Sequence, residues 1–143
     1  MKKKASVFTL VLFLGASHPD FTAGVIFAQS TAQTLVANAK TVDSKGAKTI
    51  LDKQPGIIVL DVRTPQEYAG GHLKNARNLD YNAPDFATQL AKLDKKKSYL
   101  VYCAVGGRSS KAAKLMQEQG FRQVFNVSEG YTGLKKVGLA VAE

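Results

Sequence analysis

The 143-residue chain contains no tryptophan and only one cysteine, Cys103. A single cysteine excludes an internal disulfide, so Cys103 is a buried bystander, an intermolecular partner or a reactive thiol. The length excludes a second domain of ordinary size, and the sequence has no internal repeat or low-complexity tract. These absences leave one globular domain whose chemistry depends on a few side chains.

Acidic residues are also scarce, with 11 against 20 lysines and arginines, and the formal net charge is +9. The positive charges, such as those at 95–97 and 135–136, are scattered, and no nucleic-acid-binding motif accompanies them. We therefore expect solvated surface lysines rather than a nucleic-acid-binding surface. The excess charge attracts small anions at long range, and salt weakens this effect.

The first 28 residues have the layout of a secretory signal, with Met1 and three lysines before an apolar run at 5–16. The run is too short to span a bilayer comfortably. We expect cleavage after Ala28, with Ala16 as the weaker site, which reduces the net charge to +7 through the loss of three lysines and Asp20. A retained anchor or a buried first helix is the alternative. The prediction is an exported, periplasmic protein with a signal at 1–28, a leader at 29–40 and a domain at 41–143, and without a stable membrane span after processing.

Strand and helix patterns alternate along the rest of the chain. Residues 57–62 form a nearly unbroken β-branched run, typical of a strand buried on both faces of a parallel sheet. Thr64 and Glu67 form a capping-box pair, with Pro65 at the first helical position, so a short helix is expected up to 70–71. Further strands are predicted at 41–42, 99–103 and 124–127, and helices at 44–51, after an N-cap at Asp43 or Ser44, near 84–93, at 109–119 and at 130–134. The pattern indicates an α/β fold with a mainly parallel sheet and helices on both faces.

Cys103 ends a predicted strand, and ligand sites of open parallel sheets lie beyond such carboxyl ends. Two glycines, Gly106 and Gly107, allow the following loop to curl so that several amides point inward, which favours an anion. A helix N-terminus and the neighbouring Arg108 both lower the pKa of a cysteine. This arrangement favours a nucleophilic thiolate over a small hydrophobic residue that caps a buried strand.

Three segments in order, residues 60–68, 71–78 and 103–109, resemble the successive motifs of a single-domain rhodanese. The resemblance extends from about Val42 to Val141. It implies a three-layer domain with a five-stranded, mainly parallel sheet, and a double-displacement sulfur transfer. In that reaction, Cys103 takes the outer sulfur of thiosulfate or a persulfide and passes it to cyanide or a thiol. We expect no metal ion or cofactor.

The resemblance also implies roles for individual residues. Substrate-binding positions would be Ala104, Val105, Gly106, Gly107, Arg108 and Ser109, with the loop amides around the persulfide and the arginine at the rim. Arg63 would be a second substrate arginine, unless it forms a surface ion pair with Glu67. Framework residues with buried hydrogen bonds would be Asp61, His72 and Arg77. The chain departs from the family in having Glu129-Gly130 and Leu134 where two glycines and a tryptophan are common.

Two other functions fit parts of the same sequence. A phosphatase also uses a cysteine, a glycine-rich loop and an arginine, but its loop is one residue longer than the four residues between Cys103 and Arg108. A non-catalytic sulfur carrier or thiol-binding module for an exported redox partner is the second alternative. Sulfur transfer between a small sulfur-containing anion and a thiol or cyanide acceptor remains the favoured prediction.

Overall fold

The computed structural model describes residues 38–139 and 141–142. Twelve elements follow one another: β1 (Asn38–Val42), α1 (Ser44–Lys53), β2 (Ile58–Asp61), α2 (Pro65–Ala69), β3 (His72–Leu73), β4 (Arg77–Asn78), α3 (Phe86–Ala91), β5 (Ser98–Tyr102), α4 (Gly107–Glu118), β6 (Gln123–Val127), α5 (Gly130–Lys136) and β7 (Val141–Ala142). The predicted signal at 1–28 lies outside the described residues. The first strand includes residues 38–40, which are part of the predicted leader at 29–40.

Five strands form one sheet in the order β1-β6-β5-β2-β4, and every neighbouring pair is parallel. The remaining two strands, β3 and β7, form a separate antiparallel pair. Two-residue strands such as β3, β4 and β7 are too short for a period-2 pattern, which explains why the sequence did not predict them. The α/β class with a parallel five-stranded sheet is confirmed.

Alternating side chains of the sheet supply two separate cores, because successive residues of a strand point to opposite faces. Leu60 packs in a core that includes residues of α3 and α4, whereas the preceding Val59 packs in a core that includes residues of α1 and α5. In β5, Val101 packs in the same core as Leu60, and Leu100 packs in the same core as Val59. Helices therefore cover both faces, and the domain has three layers.

Local sequence signals explain where the first two helices begin. The Asp43 side chain accepts a hydrogen bond from the Gly46 amide at 2.7 Å, which caps α1. The predicted capping box of α2 is present, since Thr64 and Glu67 satisfy each other's backbone amides. This box fixes Glu67 in the first turn of α2, directly beyond the end of β2.

The central strands β5 and β2 are neighbours and end at the same edge of the sheet. Cys103 follows β5 immediately, and α4 begins at Gly107, two residues earlier than the sequence predicted. The loop between them is correspondingly short. No helix within the described residues is long and apolar enough to cross a membrane.

Candidate active site

The sulfur of Cys103 lies inside the loop that connects β5 to α4. The Gly106 amide donates a hydrogen bond to Cys103 Sγ at 3.1 Å. The Ser109 hydroxyl lies 3.6 Å from the same sulfur and 3.1 Å from the Gly106 carbonyl oxygen. Since Cys103 is only 1% exposed, the sulfur is surrounded by hydrogen-bond donors of the loop rather than by bulk water.

The balance between burial and these donors sets the acidity of the thiol. Burial acts to raise the pKa of Cys103, but hydrogen bonds from the amide and hydroxyl of Ser109 and the amides of Val105 and Gly106 outweigh it. The pKa of Cys103 is therefore lowered from its ordinary value. Donors that stabilise the charged form favour a thiolate, which is the nucleophilic form of cysteine.

Gly106 holds the loop in a conformation that other residues rarely adopt. Its φ is +93°, and a Cβ atom at this position would overlap the Ser128 carbonyl group. Gly106 is also the N-cap of α4, so the backbone turns here from the strand end into the helix. The glycine lets the loop amides converge on the sulfur.

The N-terminus of α5 fixes the loop from the other side. The Tyr131 amide donates to the Cys103 carbonyl at 2.7 Å, and the Thr132 amide donates to the Ala104 carbonyl at 3.3 Å. Gly130 permits this contact, because its φ is +55° and a Cβ atom would collide with both carbonyl groups. Sequence reasoning missed this clamp. A glycine that opens a helix near the carboxyl edge of the sheet was the signal that could have revealed it.

Arg108 forms a two-pronged ion pair with Glu67 across the sheet edge. Its two terminal nitrogens donate to the two carboxylate oxygens, both at 2.7 Å. The pair lowers the pKa of Glu67 to about 2, chiefly through the hydrogen bonds from Arg108. The pKa of Arg108 is raised, mainly by Glu67 and to a smaller degree by the Cys103 sulfur. Arg108 thus lies beside the sulfur with its charge balanced by a carboxylate.

Arg63 lies just beyond the end of β2, as predicted, but its side chain is buried. The side chain is 5% exposed and forms an ion pair at 2.6 Å with Asp61, which is fully buried. Arg63 also donates to the Gly71 carbonyl at 2.8 Å, and its guanidinium lies 4.1 Å from the centre of the Tyr131 ring. These contacts make Arg63 part of the framework, and its role as a second substrate arginine stays a prediction. The alternative prediction, a surface ion pair between Arg63 and Glu67, is wrong, because Glu67 pairs with Arg108.

The other two predicted framework residues, His72 and Arg77, differ in burial. His72 Nδ1 lies 3.0 Å from the Tyr68 carbonyl oxygen, and the imidazole stacks on the Tyr68 ring at 3.7 Å. Arg77 is exposed, and no hydrogen bond among the described residues involves its side chain. Its predicted buried hydrogen bond is wrong. The next residue, Asn78, occupies that role, with its amide donating to the carbonyls of Asp61 and Arg63.

The remaining loop residues differ in exposure. Ser109 and Gly106 are buried, whereas Gly107 is exposed and Ala104 is half-buried. The side chain of Val105 is 72% exposed, although its amide faces the sulfur. The loop therefore presents polar groups inward and one apolar side chain outward.

The departures from the family pattern are accommodated locally. Glu129 accepts a hydrogen bond from the Ser44 amide at 2.9 Å and so helps to satisfy the N-terminus of α1. Leu134, at the position of the usual tryptophan, is fully buried in the core below α5. Packing near the loop is thus maintained without tryptophan.

Comparison with known proteins agrees with this geometry. The family model described as "Rhodanese-like domain" matches residues 43–136, which includes the loop and both arginines. The chain belongs to the rhodanese-like domain family. Thiosulfate sulfurtransferase GlpE of Pseudomonas putida F1 is 38% identical over 82 residues, covering 57% of this chain and 72% of that protein. Relatives of this kind support sulfurtransferase activity in general.

Three further similarities extend over more of this rhodanese-like domain protein. The mitochondrial protein HIGH ARSENIC CONTENT 1 of Arabidopsis thaliana is 34% identical over 131 residues, covering 85% of this chain and 76% of that protein. A crystal structure of a rhodanese-like domain protein from Staphylococcus aureus has a TM-score of 0.62 and 26% identity, covering 73% of this chain and 99% of that one. The solution structure of a rhodanese-like domain from Anabaena has a TM-score of 0.63 at 26% identity, covering 71% and 77%.

Proposed function

We propose that this rhodanese-like domain transfers sulfane sulfur through a persulfide on Cys103. The donor is thiosulfate or a persulfide, and the acceptor is cyanide or a thiol. The observation that carries the proposal is the 3.1 Å hydrogen bond from the Gly106 amide to Cys103 Sγ, inside a loop whose donors converge on the sulfur. The same donors suit the terminal sulfur of a persulfide, which also carries negative charge.

The chemistry requires two displacements that balance without an added oxidant or reductant. In the first, a lone pair of the Cys103 thiolate forms a bond to the outer sulfur of the donor, and the donor's S–S bond breaks. Its electron pair leaves with sulfite, or with a thiolate when the donor is a persulfide. In the second, the acceptor attacks the terminal sulfur of the Cys103 persulfide, and the enzyme thiolate is regenerated.

The size of the loop supports sulfur transfer over phosphoryl transfer. Four residues separate Cys103 from Arg108, and α4 already begins at Gly107. Ser109 is buried with its hydroxyl against the Cys103 sulfur, so the loop encloses that one sulfur atom. Arg108, which would have to hold a phosphate in a phosphatase, is instead engaged by both oxygens of Glu67.

Mass spectrometry of the intact protein tests the proposal. Incubation with thiosulfate or with an organic persulfide should add one sulfur atom to the wild type and none to Cys103→Ser, because serine cannot carry the persulfide. Subsequent addition of cyanide should remove that atom and yield thiocyanate. A sulfur gain that persists in Cys103→Ser, or a wild type that gains none from any donor, contradicts the proposal.

A matched serine pair tests the role of the loop donors. Ser109→Ala removes the buried hydroxyl near the sulfur, whereas Ser110→Ala alters the next, exposed residue of the same helix. The pH at which iodoacetamide alkylation of Cys103 reaches half its maximal rate should rise in Ser109→Ala and stay unchanged in Ser110→Ala. Equal profiles for both variants would exclude the hydroxyl as a source of thiolate stabilisation.

Export belongs to the same proposal and is supported by the sequence of residues 1–28 alone. N-terminal sequencing of protein recovered from a periplasmic extract should begin at Gln29. Recovery of the uncleaved chain from the cytoplasm would contradict it.

A further inference from the structure

Both arginines that the sequence associates with the substrate already have a carboxylate partner. Arg63 pairs with the buried Asp61, and Arg108 pairs with Glu67 through two hydrogen bonds of 2.7 Å. The interactions that most favour the Cys103 thiolate come from loop amides and from a hydroxyl, and Arg108 makes a smaller contribution. The loop thus stabilises one negative charge on sulfur, while the charges of Arg63 and Arg108 are each compensated by a carboxylate.

This charge pattern discriminates between sulfur donors. Thiosulfate is a dianion whose second charge lies on a three-oxygen sulfonate, and that group needs an uncompensated cation at the rim of the site. An organic persulfide carries at most one negative charge on its terminal sulfur. The net positive charge of the chain attracts both donors at long range, so it does not discriminate between them.

Burial of the Cys103 sulfur also favours organic persulfides over thiosulfate as donors. Cys103 is only 1% exposed, so the reacting sulfur of a donor has to reach inward past the loop. In a persulfide, the terminal sulfur is carried on a slender two-coordinate sulfur. In thiosulfate it is carried on a tetrahedral centre with three charged oxygens, which need hydration or hydrogen-bond partners when they approach the protein.

The loop that surrounds the Cys103 sulfur also carries an exposed apolar side chain, Val105. Val105 is 72% exposed, and together with Val141 it is one of the two strongly exposed large hydrophobic residues in the described part of the chain. Its amide faces the Cys103 sulfur, so its side chain projects from the loop that surrounds the reacting atom. A valine here offers apolar contact to the organic part of a donor and no favourable contact to a sulfonate.

We propose that Val105 and Glu67 determine donor specificity, and that the preferred donor is an organic persulfide with an apolar group next to its sulfur rather than thiosulfate. This inference rests on the proposed sulfur transfer through Cys103. The thiolate attacks the outer sulfur of R–S–SH, the S–S bond breaks, and R–S⁻ leaves as the Cys103 persulfide forms. Val105 contacts the group R, and Glu67 cancels the charge that would otherwise attract a sulfonate.

Second-order rate constants for sulfur loading of Cys103 test this inference, with thiosulfate, cysteine persulfide and benzyl persulfide as donors. Each constant is compared between a variant and the wild type, so the intrinsic reactivity of each donor cancels. Glu67→Gln removes the charge and keeps a residue that can form the capping box with Thr64. It should raise the constant for thiosulfate at least about threefold relative to that for cysteine persulfide.

Val105→Thr replaces one methyl group by a hydroxyl at nearly constant shape. The ratio of the benzyl to the cysteine persulfide constant should fall about threefold, which is the effect of one methyl group in apolar contact. Val141→Thr is the matched control, since Val141 is 47% exposed in β7, outside the cysteine loop, and its ratio should equal that of the wild type.

The outcomes separate this inference from the proposed function. If wild-type Cys103 gains sulfur but Glu67→Gln leaves the thiosulfate to persulfide ratio unchanged, the charge argument is overturned. If Val105→Thr and Val141→Thr change the benzyl to cysteine ratio equally, Val105 has no role in specificity. If none of the three donors loads wild-type Cys103, the sulfur-transfer proposal itself fails.

Discussion

Two arginine–carboxylate pairs lie at neighbouring strand ends, and they differ mainly in burial. Arg63 and Asp61 are 5% and 0% exposed, whereas Arg108 and Glu67 are 25% and 34% exposed. Both pairs have geometry that is close to ideal, at 2.6 and 2.7 Å. Because of this difference in solvent access, breaking the buried pair should reduce the free energy of unfolding more than breaking the exposed pair.

A buried ion pair is a poor source of net stability, yet removal of one partner leaves an uncompensated charge in the interior. Asp61 also accepts a hydrogen bond from the Arg63 amide at 2.9 Å, and Arg63 donates to the Gly71 carbonyl. That pair therefore fixes the segment after β2. The pair of Arg108 and Glu67 faces water on one side, so it can exchange partners while the domain stays folded.

The largest effect is expected when the buried pair is broken. Asp61→Asn leaves the Arg63 guanidinium buried without its counter-charge, which should reduce the free energy of unfolding by about 3–5 kcal/mol. Urea denaturation followed by circular dichroism measures this loss. Asp52→Asn is the matched control, because Asp52 forms an exposed pair with Lys48 at 3.6 Å, and it should cost less than about 0.5 kcal/mol. Equal losses in the two variants would show that burial does not distinguish these pairs.

The exposed pair should instead affect the reaction rate. Arg108→Gln leaves the Glu67 carboxylate uncompensated beside an anion-binding loop, so sulfur loading of Cys103 should slow about tenfold, or about 1.4 kcal/mol in activation free energy. The free energy of unfolding should change by less than about 1 kcal/mol. Arg122→Gln, an exposed arginine just before β6, is the control and should leave the rate unchanged. A loss of several kcal/mol in stability would assign Arg108 to the framework, like Arg63.

A double-mutant cycle sharpens the comparison further. The coupling free energy between Glu67 and Arg108, obtained from Glu67→Gln, Arg108→Gln and the double variant, should be about 0.5–1 kcal/mol, since solvent screens a partly exposed pair. The measurement is urea denaturation at neutral pH. A coupling of several kcal/mol would mean that this pair behaves as a buried one.

Sequence reasoning predicted the elements whose signals are local. The β-branched run at β2, the capping box of Thr64 and Glu67, and Cys103 at the end of β5 each depend on a few adjacent residues, and the structure contains all three features. The parallel arrangement of the sheet also follows from the alternation of strands and helices. The fold and the position of the cysteine loop could therefore be predicted before any coordinates.

The errors concern contacts between segments that are distant in sequence. Glu67 is four residues from Arg63 but 41 from Arg108, and local spacing suggested only the alternative pair with Arg63. Which guanidinium meets which carboxylate depends on how α2 and α4 approach across the sheet edge, and sequence periodicity does not encode this. Arg77 and Asn78 are a similar case, because a two-residue strand gives no alternation to show which side chain points inward.

The smallest expected effect is the pH dependence of the exposed pair. The pKa of Glu67 falls from about 4.5 to about 2 on folding, so its ionised form stabilises the folded state above pH 4.5, and this contribution is lost as the pH falls towards 2. The stability advantage of the wild type over Glu67→Gln should therefore be constant near neutral pH and shrink in that acidic window. Because Glu67 is about one-third exposed, the change should be below about 1 kcal/mol. Urea denaturation across the acidic range measures it. In an Arg108→Gln background the dependence should largely disappear, and its persistence there would mean that Arg108 does not hold the Glu67 carboxylate in its ionised form.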